Sequence, residues 1–189
     1  MPKILPEEYK NTIGHWWVEV WKKDEDGKEY KTLEKIVKKN KIVKSFPALL
    51  AGLLSGESSF FGGILYHAFG EGLSSWDVSL PPPSFEDTTL TNEFYRIAPE
   101  NITYYDKPSS ESGVVVTNVY DASVILIKTV LDFGNSSSVF NNKFIRTHGL
   151  VGGDATSSLN SGLFIDIINN KAIYKTEEAK FVFYIEISL

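Results

Sequence analysis

At 189 residues and 42% hydrophobic content the chain can bury one sizeable core, at the upper end for a single domain. The absence of cysteine excludes disulfides, thiolate nucleophiles and cysteine-ligated zinc, so packing and hydrogen bonds must hold the fold. The net charge of −5 divides into eleven Lys against eight Asp/Glu over residues 1–44, and eight Lys/Arg against sixteen Asp/Glu over residues 45–189, an acidic main body that lacks the clustered cations nucleic acid requires.

The N-terminal MPKILPEEYKN has no apolar segment followed by a small-residue cleavage site, so no secretory signal is expected. The longest apolar stretch, Phe46–Leu54, is about half of what a bilayer span requires, and no membrane partner is expected. IGHWWVEVWKKDEDGKEYKTLEKIV predicts a hairpin around the DEDG turn. Trp16, Val18 and Val20 share one face at period two, and Trp17, Glu19 and Trp21 share the other. The return strand is expected over Glu29–Val37, of which Leu33–Val37 also suits a helix. The basic hairpin gives an expected boundary: an N-terminal arm over 1–44 and a body over 45–189.

KSFPALLAGLLSGESS is the one clear helix, with Ser45 as N-cap, Leu49, Leu50, Leu53 and Leu54 as its apolar positions and Gly56 as its stop. FFGGILYHAFGEG reads as a buried strand with glycine kinks, and LSSWDVSLPPPSFEDTTL as a proline-rich extended connector. DTTLTNEFYRI fits a helical turn or an edge strand. Beyond it, NITYYD, GVVVTNVYDASVILIKTVLDF, NNKFIRTHGLV, SGLFIDIIN and KAIYKTEEAKFVFYIEISL are strand-forming runs separated by turn residues. In the last, Phe181, Phe183, Ile185 and Ile187 alternate with Val182, Tyr184, Glu186 and Ser188. The expected fold is mainly β: an antiparallel β-sandwich or jelly-roll-like body with one short helix and an N-terminal β-hairpin.

Catalytic signals are weak. His15, His67 and His148 lie in three separate segments with no metal-ligand spacing, so only the fold could unite them, and no metal or cofactor is expected. Ser55 sits at a helix end, not in a strand-to-helix elbow. GLVGGDAT has neither the lysine of a phosphate loop nor a preceding parallel strand. Glu71, Asp77, Glu86, Asp87 and Glu93 could form a hydrolytic carboxylate pair only if the fold brought two of them together. Alternation puts Trp17 and Trp21 opposite Trp16, so one face of the hairpin must meet the body, a neighbour or a sugar.

Four landmarks then occur in a fixed order. GGILYHAFGEGLSSWD (62–77) contains Y-x-A-x-G-x-G and a Trp-Asp pair; LTNEFYRI (90–97) contains L-x-N-E-x-x-R; HGLVGGDAT leads to Asn160-Ser161-Gly162; and a terminal alternating strand follows a Lys-Thr. This order resembles a group of tailed-bacteriophage virion structural proteins, capsid-decorating or tail-associated, over roughly residues 40–189. Val151 stands where phenylalanine is commoner. The resemblance implies a non-enzymatic virion component, made in the host cytoplasm. It would assemble in multiple copies against capsid, portal, neck or tail subunits, without nucleic acid or membrane partners. The residues expected at its interfaces are Trp16, Trp17, Trp21, Trp76, Glu93, Arg96, His148, Gly149, Gly152 and Gly153. Glu93 and Arg96 sit three apart, suited to a local ion pair or to opposite partners across an interface, and the glycines suit close backbone approach to another strand or subunit. A carbohydrate-binding module or tail-fibre adaptor recognising glycans through exposed aromatics is the alternative.

Overall fold

The period-two pattern of IGHWWVEVWKK is realised as β1 (Ile13–Lys23), which turns through Asp24–Gly27 into β2 (Glu29–Leu33). At the turn the Asp24 carboxylate accepts the Asp26 and Lys28 amides at 3.1 and 2.8 Å, and Gly27 takes φ +78°, the left-handed geometry the tight return requires. A computed structural model describes residues 13–33, 38–56, 62–106, 114–116, 121–134 and 138–188. The strand or helix expected over 34–37 falls outside them.

In chain order there follow β3 (Lys38–Ile42), α1 (Ser45–Ser55), β4 (Gly62–Gly70), a short 3-10 turn at Ser74–Asp77, β5 (Glu93–Ile97), β6 (Asn101–Asp106), β7 (Val114–Val116) and β8 (Val124–Leu131). Then come β9 (Lys143–Gly153), β10 (Leu163–Phe164), β11 (Asp166–Lys175) and β12 (Ala179–Ser188). Every pairing is antiparallel, and the strands run β5-β4-β9-β11-β3-β1-β12-β8-β6-β7, with β10 on β9 and β2 on β1. The path curls at β11, which pairs with β3 at Asp166 and Ile167 and with β9 from Ile168 onward. The result is the mainly β, sandwich-like body that the strand pattern predicts.

The core lies between the two halves of this path. β12 supplies Phe181, Phe183, Ile185 and Ile187, β1 supplies Trp16 and Val18, and β8, β9, β4 and β11 close over them with Ile127, Leu150, Phe69 and Ile168. Burying an aliphatic or aromatic side chain of this size contributes roughly 2–3 kcal/mol relative to exposure. The expected N-terminal arm is therefore corrected: β1 pairs with β12 from Gly14–Ile187 to Lys22–Ala179 and belongs to the body's own core.

Two details of α1 also depart from expectation. Lys44 occupies the N-cap without a capping side-chain hydrogen bond, while the Ser45 hydroxyl donates instead to the Phe164 carbonyl. Of the four leucines, Leu49 is buried and Leu50 half-buried, whereas Leu53 and Leu54 are exposed. Gly56 ends the helix at φ +69° as predicted. The segment around Glu93 is the edge strand β5, and the proline-rich connector runs over the outside of β9 and β11.

Candidate functional site

The Gly/Ser-rich stretch resolves into β9, a nine-residue loop over 154–162 and β10. Its order comes from a buried ion pair on the neighbouring edge strand. Arg96 Nε and Nη2 donate to the two carboxylate oxygens of Glu93 at 2.7 and 3.0 Å, with both side chains at most 1% exposed. Arg96 Nη1 donates to the carbonyls of Thr156 and Ser161, each at 3.0 Å, and Glu93 Oε2 accepts the Asn160 amide at 3.0 Å. Within the loop, the Ser161 hydroxyl bonds Thr156 and Ser158, and Thr156 Oγ1 accepts the Ser158 amide. Asn160 and Gly162 take φ +60° and +77°. The tip, Thr156–Asn160, is exposed, and Leu159 stands at its apex with 45% of its surface accessible.

The close backbone approach expected of the glycines is made within the chain. A Cβ at Gly149 would lie 2.2 Å from the Asp166 carbonyl oxygen, and one at Gly152 would lie 1.9 Å from that of Gly63. Gly153 has φ +72° at the strand's exit into the loop.

The four tryptophans separate by environment. Trp16 is fully buried with its ring edge-on to His148, so neither residue can meet a neighbour, a correction to their expected interface role. On the opposite face Trp17 stacks on Tyr184 of β12 at 5.0 Å. Trp21 lies between its register partners Lys31 and Lys180, whose ammonium groups sit 5.5 and 5.7 Å from the ring. Those lysines are in turn paired with Glu19 and Glu29. The outer face is a half-buried ladder of aromatic and charged pairs, with one face of Trp17 already covered. Trp76 packs beside Gly72 at the start of the proline-rich connector.

Two of the three histidines do come together. His67 Nε2 and His148 Nδ1 are 2.9 Å apart in the core, while His15 lies on the outer face 3.8 Å from Glu186. Among the described residues no group of three His, Cys, Asp or Glu is arranged to hold a metal ion. Four of the five candidate carboxylates have a cation partner: Glu71 with Lys143, Asp77 with Arg146, Glu86 with Lys44 and Glu93 with Arg96. The Arg146 hydrogen bonds, with the Ala172 amide, hold the Asp77 carboxyl below the usual carboxylate range. Asp87 instead accepts the Ser84 amide at 2.8 Å and lines a cavity beneath the connector. That cavity, and the role of Ser161 as the hub of the loop, carry no signature in the sequence.

Fold and site together define an antiparallel β-sandwich-like protein that presents a loop held from beneath by a buried ion pair. The chain matches no protein-family model and no curated protein. Among the described residues no helix is long and apolar enough to cross a membrane.

Proposed function

We propose that this chain is a non-enzymatic structural component of a tailed-phage virion, capsid-decorating or accessory in position, that binds neighbouring subunits in multiple copies. The observation that carries the reading is the loop over 154–162: an exposed tip whose backbone is fixed by Glu93 and Arg96 from beneath. A loop ordered before contact loses little conformational entropy on docking, which favours a binding role. Leu159 supplies an apolar anchor and the surrounding Thr, Ser and Asn residues a polar rim. Glu93, Arg96, Asn160 and Ser161, which build this scaffold, belong to the ordered landmarks that carry the resemblance to virion proteins. Repetition around a symmetric particle would let modest individual contacts add up.

The test is to purify particles from cells carrying the chain's native genome and locate it by mass spectrometry and immunogold labelling. Presence at a reproducible copy number supports the reading, and absence from the particles overturns it. Leu159→Asp is expected to reduce incorporation while leaving the isolated protein folded. Parallel Trp17→Ala and Trp21→Ala variants measure whether the outer hairpin face shares in the contact.

A further inference from the structure

We propose that the cavity between the proline-rich connector and strands β9 and β11 is a binding site for a single neutral sugar. It encloses about 200 Å3, below the range of drug-sized pockets and suited to one small ring. Its lining joins one indole, Trp76, to one carboxylate, Asp87, one carboxamide, Asn169, and the hydroxyls of Thr89, Thr91 and Thr147. Among the described residues no lysine or arginine lines it.

Each part has a defined position. Thr147 and Asn169 are register partners on β9 and β11 and form the floor. Thr147 is 1% exposed and contributes its side chain to the cavity floor. Asn169 Nδ2 donates to the Pro81 carbonyl at 3.2 Å, which fixes the amide against the connector and leaves its carbonyl oxygen as an acceptor. Asp87 uses one carboxylate oxygen to accept the Ser84 amide. Its second oxygen is an acceptor for a ligand hydroxyl, and among the described residues no cation pairs with this carboxylate. Trp76 is held by the backbone at Gly72 (φ +59°), where a Cβ would come within 2.9 Å of its six-membered ring.

This set of groups selects the ligand class. A sugar presents vicinal hydroxyls that donate to a carboxylate and amide, and C–H edges that lie against an aromatic ring. An anionic ligand would bring its charge against Asp87 with no cation to offset it. The site differs in place and composition from the Trp17 and Trp21 face, and the inference stands apart from the proposed virion role.

The experiment is saturation-transfer NMR and titration calorimetry of the full chain with glucose, galactose, mannose, N-acetylglucosamine and, as the anionic control, N-acetylneuraminic acid. At least one neutral sugar is expected to bind in roughly the millimolar range, as befits so small a ligand. Asp87→Ala and Trp76→Ala are each expected to weaken it at least about tenfold. Thr89→Arg, at an exposed rim position, is expected to block it. Should Trp76→Ala fail to fold, the two rim variants decide. Absence of binding by every neutral sugar up to about 50 mM overturns the proposal. So does binding unchanged in Asp87→Ala and Thr89→Arg, preference for the anionic control, or loss of binding in Trp17→Ala or Trp21→Ala with fold intact.

Discussion

His67 and His148 share one hydrogen bond, Nε2 to Nδ1 at 2.9 Å, inside a shell of Trp16, Phe69 and Phe183. One ring donates and the other accepts, and burial keeps both neutral near pH 7. Their outer nitrogens, His67 Nδ1 and His148 Nε2, have no partner among the described residues, and one of them carries a proton in either tautomer.

Burial pushes the His148 pKa down to about 3, and burial followed by the charge of His148 lowers that of His67 well below its ordinary value. The unfolded chain takes up these protons below about pH 6.5 while the folded chain does not, so stability falls as pH drops from there toward 3. Two such groups give a slope of up to about 2.7 kcal/mol per pH unit. Urea denaturation between pH 7.5 and 4.5 measures it, and a His67→Phe/His148→Leu variant should flatten the profile. An equally steep profile in that variant would assign the loss to other groups. Asp77 adds a further loss as pH falls toward and through 3.8, since the Arg146 hydrogen bond favours its charged form.

Removing Arg96 should unfasten the loop. Arg96→Met leaves Glu93 buried without its cation, at an expected cost of about 3–5 kcal/mol, and should speed amide exchange across 154–162. The Glu93→Leu/Arg96→Met double variant should regain much of the stability but not the loop's protection, because the bonds to Thr156, Asn160 and Ser161 stay lost. Hydrogen exchange with mass spectrometry separates the two effects.

Gly152 of β9 and Gly63, in the irregularity of the adjacent β4, should respond unequally to alanine. At Gly152 the new methyl would strike the backbone oxygen of Gly63, and a loss of about 3 kcal/mol or more is expected. At Gly63 nothing lies within 4 Å of the added carbon, so the change should be within about 1 kcal/mol. Thermal unfolding of the two variants compares them directly, and equal losses would contradict the geometry.

Lys175 is fully buried, donating to Asn141 Oδ1 at 3.2 Å and to the Thr176 carbonyl at 2.8 Å near the rings of Phe140 and Phe181. Burial lowers its pKa from 10.5 to about 8, with Asp132 opposing. Between these values the unfolded chain binds the proton that the folded chain has released, so stability should rise with pH from about 8 toward 10. Lys175→Met should abolish that rise in chemical denaturation at pH 7.5, 9 and 10.

The fold was legible where one face of a strand is apolar and the other is not. Phe181, Phe183, Ile185 and Ile187 announce β12, and Trp16 and Val18 announce the inward face of β1. Which strand would pair with β1 was hidden, because the register joins segments at opposite ends of the sequence and alternation says nothing about partners. For the same reason the outer indoles could be counted, but the Tyr184 and Lys180 that meet them could not.

The spacing of Glu93 and Arg96 allowed a local ion pair or two separate partners across an interface, and the structure shows the local pair. Its burial, and the three loop residues it holds, depend on where a distant loop folds back. The sugar-sized cavity was illegible for a related reason: Trp76, Asp87, Thr147 and Asn169 come from the connector and two strands, and no short motif contains them.

The pairing of Gly14 with Ile187 and of Lys22 with Ala179 sets the tempo of assembly. β1 is laid down early and can only complete its edge once β12 has been made, so during synthesis its Trp16 and Val18 wait without their principal cover. Closing so long a loop is entropically slow. Native packing of β1 is therefore expected only after β12 has been synthesised, in a late cooperative step seeded by the meeting of these two strands.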